Sequence, residues 1–156
     1  MTEILVYVVV GLVGLAIYFG AKAAAAKFGP GNEAIARAAF EDMPGFAPAA
    51  TNTYLGSSIA YDPIGNRIAI WEKSGGARLV DPNGVAVWHA GILLTLVLSR
   101  TTATPMIQLY ARERDAKPFF KVGVLKKTDA AAWRDRLQAA FGGEKEREVD
   151  VRVAGV

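Results

Sequence analysis

Eighteen consecutive uncharged residues, Ile4–Ala21 (ILVYVVVGLVGLAIYFGA), constrain this chain more than any other feature. As a helix rising about 1.5 Å per residue, the run covers ~27 Å, close to the ~30 Å of a bilayer's hydrocarbon core. Lys22 and Lys27 have stems that can snorkel to headgroups, and Tyr7 and Tyr18 stand toward the two ends of the run. Gly29-Pro30-Gly31 then interrupts the helix. The segment ahead of the run, Met-Thr-Glu, has no basic residue, and the run exceeds the core of a secretory signal, so a retained anchor over 1–28 is expected rather than a cleaved one. Lys22, Lys27 and Arg37 follow the run and only the α-amino group precedes it. This predicts a single pass through a bacterial inner (plasma) membrane with the C-terminal domain in the cytoplasm. Ala16, Gly20 and Ala24 repeat every four residues and form a small-residue stripe suited to packing against a partner helix.

Composition removes several chemistries. The chain has 156 residues, no Cys and a single His, which excludes disulfides, thiol nucleophiles, Cys-ligated metals and multi-histidine sites. A net charge of +3 does not by itself indicate nucleic-acid binding. No cofactor, metal or small-molecule substrate is expected.

Beyond the anchor, Asn32–Phe40 reads as a short juxtamembrane helix, with Asn32 as N-cap and Glu33 in the first turn. Met43–Ser58 lacks apolar periodicity, so 29–57 is expected to be a helix followed by a linker. Short strands follow. Asp62-Pro63-Ile64-Gly65 separates Ser58–Asp62 from Arg67–Glu72, and Asp81-Pro82-Asn83-Gly84 separates Ala77–Val80 from Val85–Ala90. Ile92–Ser99 is apolar on both faces, as in a strand covered on two sides, and Met106–Arg112 and Phe119–Leu125 complete seven candidate strands. From Thr128 a helix is predicted, with Ala130, Trp133, Leu137, Ala140 and Phe141 on one stripe and Gly142 at its end. The tail 143–156 alternates charge with Val149, Val151 and Val153.

Seven short strands followed by a Trp-bearing amphipathic helix resemble a pleckstrin-homology-like domain over about residues 58–142. Ile59–Trp71 (IAYDPIGNRIAIW) and Phe119–Leu137 (FFKVGVLKKTDAAAWRDRL) are similar to the first hairpin and the strand-to-helix close of bacterial membrane-anchored proteins of this kind. The resemblance implies a mainly-β (α+β) fold, a seven-stranded antiparallel open barrel or sandwich capped by the C-terminal helix, with Trp133, Leu137 and Phe141 as its plug. Between Ile59 and Glu72 Arg67 is the only basic residue, so the first hairpin lacks the basic signature of phosphoinositide-binding members.

The candidate chemistry is sparse. Each Asp-Pro-x-Gly segment offers one carboxylate, against the six to eight oxygens calcium needs. His89 has no nucleophile or orienting carboxylate beside it in sequence. Arg100, Arg112, Arg114, Lys117, Lys121, Lys126 and Lys127 face only Glu113 and Asp115, a basic excess suited to anionic lipid or a protein partner. Tyr110, Phe119 and Phe120 beside it serve equally as core residues, and no nucleic-acid partner is expected. The reading is therefore a non-catalytic, single-pass accessory or scaffold subunit of a bacterial membrane complex. Other membrane subunits would be its partners, and its domain would serve protein–protein interaction. The rival readings are an anionic-lipid headgroup module and a pilin-like filament or secretion component.

Overall fold

The computed structural model describes residues 30–97, 100–147 and 152–153. In chain order the elements are helix α1 (Pro30–Glu41), strands β1 (Ala50–Tyr54), β2 (Ser57–Asp62), β3 (Arg67–Glu72), β4 (Gly76–Leu79), β5 (Val87–Val97), β6 (Arg100–Tyr110) and β7 (Phe120–Gly123), helix α2 (Lys127–Phe141), and the two-residue strand β8 (Arg152–Val153). One sheet has the order β1-β2-β3-β4 and the other β7-β6-β5-β8; every pairing is antiparallel except β5 with β8.

Both faces of the first sheet are covered, and the sequence of its central hairpin shows why. Side chains alternate along a strand. Ile59, Ile68 and Ile70 therefore point to one face and join the main core with Val85, Trp88, Leu109, Val122, Trp133, Leu137 and Phe141. Ala60, Ala69 and Trp71 point to the other, where they meet Ala36 and Phe40 of α1 and Phe46 of the following loop. Two alanines on the outer face let a helix lie close. The result is three layers: α1, the first sheet, and the second sheet with α2.

Asp62 locks this arrangement. Its buried carboxylate lies 2.5 Å from Arg67 Nη2 and 3.1 Å from Arg67 Nε, and accepts the Ile64 N–H at 3.0 Å. The same guanidinium donates to the Gly45 carbonyl and lies 5.8 Å from the Phe46 ring. Burial by itself would raise the Asp62 carboxyl. The Arg67 hydrogen bond and the backbone N–H groups of Ile64, Gly65 and Ala47 outweigh it and hold the group below its ordinary value.

The sheets meet where β1 approaches β7. Asn52 Nδ2 donates to the Gly123 carbonyl at 2.8 Å, and a Cβ on Gly123 would fall 2.5 Å from Tyr54 Cδ1, so only glycine admits the ring. The turn joining β1 and β2 has positive φ at both Leu55 (54°) and Gly56 (80°), the signature of a two-residue type I′ hairpin.

Several expectations are corrected. Among the described residues no helix is long and apolar enough to cross a membrane. The expected anchor over 1–28, with Ala16, Gly20 and Ala24, lies outside the described residues. The single-pass architecture, the inner-membrane location and the membrane-subunit role are thus unsupported by the fold, and so are the lipid-headgroup and pilin-like alternatives that depend on the same anchor. The domain is not the expected seven-stranded barrel: it is an α+β domain of two separate sheets, with α1 as a third layer and β8 added in parallel. Residues 43–58, read as a linker, contain β1, whose Ala-Thr-Asn-Thr-Tyr sequence has no apolar alternation because neither face is fully buried. The expected break at Gly91 is absent, and β5 runs through it. Thr101–Pro105, which falls between the candidate strands Ile92–Ser99 and Met106–Arg112, pairs residue for residue with Ile92–Leu96. The second helix begins one residue ahead of Thr128, without a side-chain cap.

Candidate functional site

At the margin opposite the β1–β7 contact, β4 is an edge strand. Val80 N–H donates to the Ile68 carbonyl at 2.9 Å. This sets the phase of the ladder, so Arg78 and Gly76 bond to β3 while the N–H and C=O groups of Ala77 and Leu79 face outward. Among the described residues no strand pairs with that edge.

A cleft of about 260 Å³ opens beside it. Ile70, Leu79, Val80, Ala111 and Phe119 supply its apolar walls, with Arg78, Asp81 and Gly84 at the rim. Leu79 and Phe119, far apart in chain order, both line it and are partly open to solvent, at 44% and 39% exposure. Local chemistry holds the walls in place. Asp81 Oδ1 accepts the Asn83 N–H at 2.9 Å, so this Asp-Pro-x-Gly carboxylate serves its own turn. Lys145 Nζ donates to the Pro82 carbonyl at 3.0 Å, and Phe119 N–H donates to the Leu109 carbonyl at 2.9 Å. Arg78 is paired with Glu72 at 2.9 Å, leaving the rim nearly neutral.

The basic residues singled out in the sequence divide among separate places. Arg112, Arg114 and Lys117 share the exposed loop whose two ends, Ala111 and Phe119, line the cleft. Lys121 is exposed in the middle of β7, opposite Gln108. Lys126 and Lys127 follow the far end of β7, and Arg100 opens β6 six residues before the Met106–Gly123 pair, about 20 Å along the strand at ~3.3 Å per residue. Trp133, Leu137 and Phe141 lie in the main core with 2%, 0% and 5% exposure. The cleft residues Leu79 and Val80 carried a faint signal: two adjacent apolar residues before a turn must point to opposite faces, and Val80 packs on the core while Leu79 stays exposed.

His89 is nearly buried, with Nδ1 3.0 Å from the Arg147 carbonyl. A carbonyl can only accept, so Nδ1 carries the proton in the neutral ring. Burial lowers the imidazole's pKa, against the opposing pull of the Arg147 carbonyl and the Glu146 charge. The unfolded chain therefore takes up this proton first as pH falls. Stability from this source is complete above the ordinary histidine value of about 6.5 and declines below it until the folded value is reached. The urea midpoint is expected to be lower at pH 5.5 than at pH 7.5, and His89→Gln should shrink the difference; an equal drop in the variant would place the titration elsewhere.

Fold and site together define an α+β domain with an unpaired strand edge beside an apolar cleft. Compared with protein-family models, curated proteins and solved structures, the chain matches none.

Proposed function

We propose that this chain is a non-catalytic protein-interaction domain of pleckstrin-homology-like build that takes an extended segment of a partner protein as an added strand against β4. The observation that carries this reading is the outward-facing backbone of Ala77 and Leu79 directly beside the cleft. Such an edge binds through main-chain hydrogen bonds, while every second side chain of the added strand enters the neighbouring depression. The cleft has room for one large apolar side chain. Arg112, Arg114 and Lys117 outnumber Glu113 and Asp115 on the adjoining loop, which favours a segment with acidic residues around that apolar one. The pleckstrin-homology-like part of the reading is supported by four antiparallel strands, then three more, then a helix whose Trp133, Leu137 and Phe141 fill the space between.

Random nine-residue peptides displayed on phage and selected against the full chain test the proposal. The expected ligands carry an apolar residue flanked by acidic ones. Leu79→Asp should weaken them by about tenfold or more, equivalent to about 1.4 kcal/mol. Methylating alternate peptide backbone amides should abolish binding in one phase and spare it in the other. Ligands indifferent to both changes would overturn strand addition at β4.

A further inference from the structure

A strand added to β4 would meet apolar side chains on both of its faces. Residues directly opposite each other on antiparallel strands share a face. Arg78 pairs with Ile70 and so stands on the core face, where the cleft begins. Ala77 pairs with Trp71 and Leu79 with Ala69, which places both on the α1 face. Ala77 packs there against the cluster that holds Ala36, Phe40 and Trp71. A residue of the incoming strand opposite Arg78 therefore enters the cleft, and its neighbour opposite Leu79 turns toward α1.

The orientation of α1 shows what that neighbour meets. Arg37 and Glu41 line a groove with Pro48, Ala49, Ala50 and Thr51, so this flank of the helix faces the β1 margin. At about 100° per residue, Ile35 stands about 160° round the helix from Arg37, on the flank toward β4. The helix reaches across the sheet to β4. Ile35 is 58% exposed, and Leu79 on the strand below that flank is likewise open. These two side chains border the α1 side of the β4 edge, as Val80 and Phe119 border the cleft side. The neighbouring strand β3 shows the sequence that such a doubly covered position selects. Ile68–Trp71 (IAIW) is buried at every residue, because both of its faces are packed.

We infer that Ile35 and Leu79 form a second specificity site for the partner segment bound at β4, and that this segment carries two adjacent apolar residues, one for the cleft and one for the Ile35–Leu79 pair. The pair acts only on a strand added at β4, the reading on which it rests. Acidic residues lie beyond the apolar two, matching Arg112, Arg114 and Lys117 on the loop that ends at the cleft. Adjacency sets such a segment apart from a strand with one face in water, whose apolar residues alternate with polar ones.

Random peptides displayed on phage and selected against the full chain should be enriched in adjacent apolar residues within acidic flanks. One enriched peptide is then synthesised with alanine at each apolar position in turn, and its binding to the parent and to Ile35→Ala is measured by calorimetry. Ile35 is exposed on a helix and alanine is the best helix former, so this variant should keep the parent's urea midpoint. Alanine at the cleft position should weaken binding about tenfold to both proteins. Alanine at the neighbouring position should cost about fivefold against the parent but only about twofold against Ile35→Ala, the non-additivity of groups in contact. Equal losses against the two proteins would overturn the role of Ile35 and leave strand addition standing. So would enriched peptides that carry a single apolar residue yet still require their alternate backbone amides. No enrichment, or peptides indifferent to methylation of those amides, would overturn strand addition and the second site together.

Discussion

Trp88→Ala is expected to cost about 4 kcal/mol, the largest loss from any single substitution considered for this chain. Trp88 has 0% exposure and lies in the main core between β5 and the first sheet. Its indole N–H donates to the Gly142 carbonyl at 2.9 Å, tying the second sheet to the end of α2. Truncating a buried Trp removes apolar contact and leaves a cavity, together about 3–5 kcal/mol. Here the Gly142 carbonyl also loses its donor, at about 1 kcal/mol if water does not replace it. Against a total of roughly 5–15 kcal/mol for a domain of ordinary stability, such a loss moves the unfolding transition far toward the unfolded side. Urea denaturation followed by tryptophan fluorescence checks it through Trp71 and Trp133, which remain. Trp88→Phe helps to separate the two contributions: it removes the hydrogen bond and keeps most of the packing. A Trp88→Ala loss below about 1.5 kcal/mol would mean that the core does not depend on this side chain.

The second large effect is expected at Asp62. Asp62→Ala removes the carboxylate that joins Arg67, the turn amides and the loop carrying Phe46. Hydrogen bonds to charged groups are worth about 1.5–3 kcal/mol each, and removing one member of a fully buried pair costs about 3–5 kcal/mol. The Arg67 side chain keeps 37% of its exposure and still donates to Gly45, so water partly compensates it. The expected cost is therefore about 2–3 kcal/mol. Because the folded carboxyl is held below its ordinary value, its contribution is complete above the unfolded value near 3.8 and is lost as pH falls through the folded one. The Asp62 loss begins only below about 3.8, whereas the His89 loss begins below about 6.5, so acid titration of the parent and the two single variants distinguishes their onsets. The Phe46 amide should also exchange faster in Asp62→Ala, since the loop loses its clasp to the β2–β3 hairpin. An unchanged urea midpoint would show that Arg67 and Gly45 hold the loop unaided.

Some of this was legible in one dimension and some was not. The turn between β2 and β3 was, because an Asp side chain reaching its own backbone two residues on is a strictly local event; Ile64 N–H to Asp62 Oδ1 is that bond. The helix stripe Trp133–Leu137–Phe141 was visible because a 3.6-residue period is written in consecutive positions. The first strand was not, since Ala50–Tyr54 acquires its conformation by pairing with β2 rather than from its own side chains. Thr101–Pro105 misled for a related reason: its proline signals a loop, yet Ile92–Leu96 opposite it imposes the strand. Ala60 and Ala69 carried no sign of being core, and only the approach of α1 makes their size matter.

Local events were readable from the chain alone: where turns form, which helix face is apolar, and which chemistries the missing Cys and single His exclude. It took the packed fold to make β4 an edge of the first sheet, to bring Leu79 and Phe119 to one cleft although forty residues separate them, and to return Arg152–Val153 to β5. The physical reason is that a period or a turn is set by neighbours in the chain, whereas an edge or a cleft is defined by what packs next to it in space.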